Sequence, residues 1–155
     1  MKATLTFVTI ALLALWMADC AAPKTTATAA SLDPDAPNRA KILEALKKDI
    51  AGKENWPADS VYENVKMLKT VTAERFLGIM DRWGQALGVG CDHCHVKNEW
   101  ASEVKSEKEV TRQMITLTTR INKDLKSIGG LENDDPSVSC YTCHRGNVTP
   151  ARQAK

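Results

Sequence analysis

The sequence predicts a mainly α-helical fold built from a repeated unit: a helix, a short turn, then Cys-x-x-Cys-His. Three observations carry that prediction. Apolar residues recur at spacings of three and four, no run shows sustained period-two alternation, and "CDHCH" at Cys91–His95 returns as "CYTCH" at Cys140–His144.

The chain begins with Lys2 followed by an uncharged, apolar run from Ala3 to Ala18. That layout is expected of an export signal over residues 1–20, and the run falls short of the roughly 20 residues a membrane span needs. The mature protein is therefore expected outside the cytoplasm, in the periplasm. Two readings compete at "LWMADCAAP". In one, ordinary cleavage beside Ala18 and Cys20 releases a soluble protein. In the other, Cys20 is the lipidated first residue of a lipoprotein, a membrane tether, although Asp19 departs from that pattern. Residues 21–37, rich in Ala, Thr and Pro, have too little apolar surface to fold and read as a flexible linker. Residues 38–155 form one domain.

Within that domain, Ile42, Leu43, Leu46 and Ile50 repeat at helical spacing, with Pro37 suited to the first turn and Gly52 beyond the end. "WPADSVYENVKML" mixes Pro, Asp and β-branched residues and reads as an irregular link with a short helical turn. Thr72 is a good N-cap for a second helix carrying Phe76, Met80, Trp83 and Leu87 on one stripe, closed by Gly88 and Gly90. Ser106 with Glu109 reads as a capping box for a third helix. Its stripe is Val110, Met114, Leu117, Ile121, Leu125 and Ile128, ended by Gly129-Gly130.

The 21 Lys and Arg against 19 Asp and Glu leave a net charge of +2 with no basic stripe. Without clustered cations to neutralise phosphates, nucleic acid is excluded as a partner class. Aromatic residues are 5% of the chain, with Phe7 and Trp16 inside the export signal. So thin a supply leaves a core that large, flat apolar cofactors would complete.

The paired motifs admit three chemistries. Zinc held by Cys91, Cys94, Cys140 and Cys143 requires the two pairs to be spaced far beyond the usual 15–20 residues, and has no use for a His after each pair. Thiol–disulfide exchange suits an oxidising compartment but also leaves the two histidines unexplained, and it wants a strand–helix context. Covalent haem accounts for every position. Two thiols add across the two vinyl groups of one haem, and the adjacent imidazole, His95 or His144, becomes the proximal iron ligand. Two haem c groups are the expected cofactors.

Distal ligands are few: Met67, Met80, Met114 and His93. Met80 lies on the helix that runs into the first motif, and Met114 on the long helix before the second. Each is placed to lay its thioether over the iron face opposite its His. Met67 reads as packing, and His93, between the two cysteines, as exposed or bonded to a propionate. With one spare His, both sites cannot be bis-histidine, and Met/His pairs, which raise the reduction potential, are expected.

"LGVGCDHCH", "WASEVKSEKEVTRQMITLTTRIN" and "CYTCHRG" resemble the cytochrome c subunit of photosynthetic reaction centres and its small non-photosynthetic relatives, over about Val61 to Pro150. The likeness implies Met80 opposite His95 and Met114 opposite His144. Subunits of that family carry four such motifs, so this chain resembles half of one. Arg145, directly after the second motif, is expected to pair with a propionate. The expected function is relay of single electrons between a redox protein donor and acceptor, or within a membrane redox complex. The rival is a peroxidase-like dihaem enzyme, which follows if Met114 is packing and leaves the second iron open. A third reading is a structural haem subunit of a larger membrane complex.

Overall fold

The folded part runs through helices α1 Ala36–Asp49, α2 Ala58–Val61, α3 Ala73–Leu87, α4 Ser106–Leu125 and α5 Cys140–His144, with a 3₁₀ turn at Cys91–His93 after α3. The computed structural model describes residues 33–152; the expected export signal, Cys20 and most of the expected linker lie outside the described residues. Among the described residues, extended pairing is limited to two isolated bridges, Pro57 with Thr72 and Val96 with Glu99. The fold is mainly α.

Helix α1 has Pro37 in its first turn and two lysines, Lys47 and Lys48, in its last, where each charge suits the helix dipole. It starts before Asn38 because Arg39 reaches back. Arg39 is 2% exposed, and its guanidinium donates to Asp33, to Asp81 Oδ1 at 3.1 Å and to the Val89 carbonyl at 2.9 Å. The last residues of the sequence-defined linker therefore belong to the fold. Composition misses this because Asp33 is held by a charge rather than by apolar burial.

Against α1 packs α3, around Ile50, Ala73 and Leu77 with Leu43, Leu46, Val61 and Tyr62 at the margin. The Thr72 hydroxyl accepts from the Arg75 amide at 3.4 Å, and Gly88 closes the helix at φ +67°. That left-handed conformation is one glycine adopts without a Cβ penalty. The segment between α1 and α3 includes the short helical turn α2 and is tied down by backbone bonds from Ala58 N to Val71 O and Ala73 N to Trp56 O, both 2.8 Å. Tyr62 donates to the Ala73 carbonyl at 3.0 Å and stacks on Phe76 at 5.4 Å.

Helix α4 begins at Ser106, but the Ser106–Glu109 capping box is not formed. Lys105 occupies the cap position with no side-chain cap bond, and Glu109 bonds Arg112 and Gln113 instead. Ion pairing along the helix outcompetes the reach back to the N-terminus. The helix also stops at Leu125, short of Ile128, where the Ser127 hydroxyl donates to the Asp124 carbonyl at 2.6 Å.

The side-chain core is small. Ile50, Ala58, Ala73, Leu77 and Ala86 are its buried apolar members among the described residues, while Val110, Met114, Leu117, Ile121 and Tyr141 stand exposed. A domain this sparse in buried protein surface has little to offset chain entropy without another buried apolar body.

Candidate functional site

The stripe expected of α3, Phe76, Met80, Trp83 and Leu87, lines a cavity that also holds Cys91, Cys94 and His95. Gly88 and Gly90 turn the chain so that the motif follows at once, and the His95 amide bonds the Cys91 carbonyl at 3.0 Å. The motif is thus a single helical turn with both thiols and the imidazole carried on it. His95 Nδ1 lies 3.0 Å from the Trp100 carbonyl oxygen. A carbonyl can only accept, so Nδ1 carries the proton and Nε2 keeps a lone pair with which it could ligate a metal. Burial pushes the imidazole pKa down, toward the neutral form that such ligation requires.

Cys91 and Cys94 are half-buried free thiols, and desolvation pushes both upward in pKa, as it does Cys140. A reactive exchange thiol has the opposite shift. Nor do the two pairs converge: among the described residues no three His, Cys, Asp or Glu gather in a group able to hold a metal ion. Thiols and an oriented imidazole on one apolar cavity fit a haem joined by thioethers.

Around the second motif, Ser139 and Thr142 form a reciprocal capping box at the start of α5, and Cys140, Cys143 and His144 follow. His144 Nδ1 lies 3.0 Å from the Asn147 carbonyl, the same arrangement as His95 with Trp100. Arg145 ends the helix in the left-handed region at φ +48°, and its side chain is exposed. Helix α4 reaches this site through Asn122, which donates to the Val138 carbonyl at 2.9 Å and accepts from its amide at 2.7 Å.

Met80 therefore shares a cavity with the first motif. Met114 sits on the open stripe of α4, 39% exposed, and is not among the residues lining the first cavity. His93 is half-buried between its cysteines and is likewise absent from the lining.

Several contributors are not the ones the sequence reading favours. Met67 lines the first cavity as well, delivered by a link in which Asn64 and Leu68 both adopt φ +58°. Helix α4 presents a second face, Lys108, Thr111, Arg112 and Ile115, to that cavity, with the Thr111 hydroxyl 3.8 Å from Cys94 Sγ. The spacing i, i+3, i+4, i+7 is legible, but three of the four are polar and the apolar stripe overshadows them. Arg112 grips Glu103 through two bonds of 2.6 and 2.7 Å. Glu103 also takes Lys66, Lys108 and Asn64, and together they hold its carboxyl far below the usual range, the Arg112 bonds first among them.

Two helical turns bearing Cys-x-x-Cys-His, each with its imidazole pinned through Nδ1, on a helical scaffold with a sparse core, define a c-type cytochrome, a class that carries covalently bound haem c. The chain belongs to the photosynthetic reaction centre cytochrome C subunit family, whose model matches residues 21–153. It is 38% identical over 96 residues to the photosynthetic reaction center cytochrome c subunit of Thermochromatium tepidum, covering 60% of this chain and 22% of the relative. The corresponding subunit of Roseobacter denitrificans is 32% identical over 111 residues, covering 63% of this chain and 30% of its own. Cytochrome c-554 of Chloroflexus aurantiacus is 34% identical over 83 residues, covering 52% and 20%. The chain thus spans less than a third of the length of each of these relatives.

Proposed function

We propose that this protein is a periplasmic dihaem cytochrome c that relays single electrons between a reduced donor protein and an oxidised acceptor, or within a membrane redox complex. The observation that carries the reading is the shared cavity of Met80, Cys91, Cys94 and His95, with His95 Nδ1 held on Trp100.

Haem, when bound, supplies the one-electron couple. The chain's part is attachment, orientation and burial. Cys91 and Cys94 would hold the first group, and His95 and Met80 would ligate its iron. Cys140, Cys143 and His144 would do the same at the second site, with Met114 as its further ligand. The exposed α4 stripe is apolar surface for that second group to cover, and its burial would remove an apolar patch from the surface of the domain. Each relay takes one electron from the donor and gives one to the acceptor, with no bond made or broken. Thioether ligands raise the reduction potential relative to a second imidazole. Export, and the choice between a released protein and one tethered through Cys20, are part of this reading.

A second reading follows from the open position of Met114. If that thioether does not reach the iron, the second site has a free coordination position and the protein is an enzyme acting on peroxide or a similar small ligand. Electronic spectra of the oxidised holoprotein test both. Low-spin signals with a Met-to-iron charge-transfer band for both haems support electron relay. A high-spin component that shifts on adding cyanide supports the enzyme.

A further inference from the structure

Residues Gly88 and Gly146 meet backbone to backbone. Gly88 is the left-handed cap of α3, just ahead of the first motif, and Gly146, at φ +81°, lies just past the second, after Arg145. The Gly146 amide donates to the Ala86 carbonyl at 2.9 Å, and Ala86 is 3% exposed. A Cβ built on Gly88 would overlap the Gly146 carbonyl oxygen and stand 2.8 Å from its carbon. The chain leaving one attachment site thus lies directly on the chain entering the other. No side chain stands between them, so no rotamer change can absorb a shift.

We propose that Gly88 and Gly146 form a backbone lock that fixes the separation and tilt of the two attachment sites, which makes them positioning residues for electron passage between the sites. The inference rests on the dihaem reading. The His144 imidazole is tied to this lock through a short, hydrogen-bonded connection, and the chain running from the lock toward the first motif is itself held by hydrogen bonds. His144 Nδ1 is held by the carbonyl of Asn147, the residue after Gly146, and the Asn147 amide returns to the His144 carbonyl at 3.0 Å. On the other side the Val89 amide bonds the Gly84 carbonyl at 3.0 Å, and the Val89 carbonyl accepts from buried Arg39. The step served is the loss of one electron from a ferrous iron and its gain by the ferric iron of the other site, with no proton moved. Such transfer weakens steeply with distance, so a displacement too small to unfold the domain still registers.

Gly52 provides the control. It holds φ +81°, and a Cβ added there would meet nothing within 4 Å. Gly52→Ala therefore imposes left-handed strain without any overlap, whereas Gly88→Ala imposes both. The experiment is paramagnetic resonance of the fully oxidised holoprotein, reading the magnetic coupling between the two ferric centres, beside intact mass to count haems. The expected result is loss of coupling in Gly88→Ala, with both haems attached and each keeping its own low-spin signal, and unchanged coupling in Gly52→Ala. Unchanged coupling in Gly88→Ala, or equal loss in both variants, overturns the lock. If Gly88→Ala yields no holoprotein, hydrogen exchange on the unsubstituted protein decides: a Gly146 amide protected like those of α3 supports the lock, and one exchanging like an open loop overturns it. An unsubstituted protein carrying one haem overturns the dihaem reading and the lock together, while two haems with unaffected coupling overturn the lock alone.

Discussion

The Nδ1 atom of His95 lies 3.0 Å from the carbonyl oxygen of Trp100, and the Trp100 ring stands edge-on to the imidazole at 5.7 Å. One residue thus fixes both the tautomer and the plane of the imidazole that faces the cavity. With the proximal side set, the distal side is open to a direct test. Met80→Ala is expected to convert the first haem from low-spin to partly high-spin and to lower its reduction potential, on the order of 100 mV. Redox titration with simultaneous absorbance reads both, and an unchanged potential would remove Met80 as ligand.

Arg39 is a buried cation facing two carboxylates, Asp33 and Asp81. Removing it as Arg39→Ala takes the buried guanidinium from both and is expected to cost about 3 kcal/mol, measured by denaturant unfolding of the oxidised protein. The pH dependence follows from Asp33, whose carboxyl the Arg39 hydrogen bond holds below the ordinary carboxylate value. Below the unfolded value of about 3.9 the unfolded chain takes up a proton that the folded chain resists. This contribution is therefore fully present above about pH 4 and is lost as pH falls below it, a loss that should be smaller in the Arg39→Ala protein, where the backbone bonds from Asp35 and Ala36 remain.

Gly84 exists to admit Arg39. A Cβ there would lie 2.8 Å from Arg39 Cδ and 3.1 Å from the Val89 carbonyl oxygen. Since Gly84 is helical, alanine would otherwise gain about 1 kcal/mol from propensity. Overpacking is expected to exceed that gain, giving a net destabilisation of about 1–2 kcal/mol. A calorimetric melting temperature at or above that of the unsubstituted protein contradicts this packing.

Burial pushes the Tyr62 phenol up to about 12, while an unfolded tyrosine ionises near 10. The folded state keeps its proton where the unfolded state loses it, so stability falls as pH rises from about 10 to 12. Ultraviolet difference titration should show this one tyrosinate appearing late. Tyr62→Phe, which deletes the bond to the Ala73 carbonyl, is expected to cost about 1 kcal/mol.

Glu103 balances three cations, Lys66, Lys108 and Arg112, all of which line the first cavity. Glu103→Gln leaves their charge uncompensated beside the first site. The expected outcome is a rise in that haem's potential on the order of tens of millivolts, shrinking in high salt. No change at low ionic strength would separate this network from the redox centre.

Much of this arrangement is legible from residue spacing. The Phe76–Met80–Trp83–Leu87 stripe, the Thr72 cap and the Gly88 stop follow local rules, and the structure keeps all three because α3 is amphipathic with strong end signals. The motifs themselves are legible because thiol and imidazole spacing is dictated by the chemistry of attachment. What local reasoning cannot supply is long-range. Arg39 finds Asp81 across 42 positions of sequence, Glu103 gathers cations from two segments, and Gly146 seats on Ala86. The α4 stripe reads as core in the sequence, yet in the polypeptide it is exposed, since apolar periodicity marks a face to be covered without saying whether protein or cofactor covers it.

The central claim is that both Cys-x-x-Cys-His turns are covalently loaded. Intact-mass spectrometry of the protein purified from cells that export and assemble c-type cytochromes tests it most directly. The account predicts a mass equal to the processed chain plus two haems, with Cys91, Cys94, Cys140 and Cys143 all resistant to thiol alkylation. A mass matching the bare chain, with those four cysteines alkylated or joined as disulfides, contradicts it.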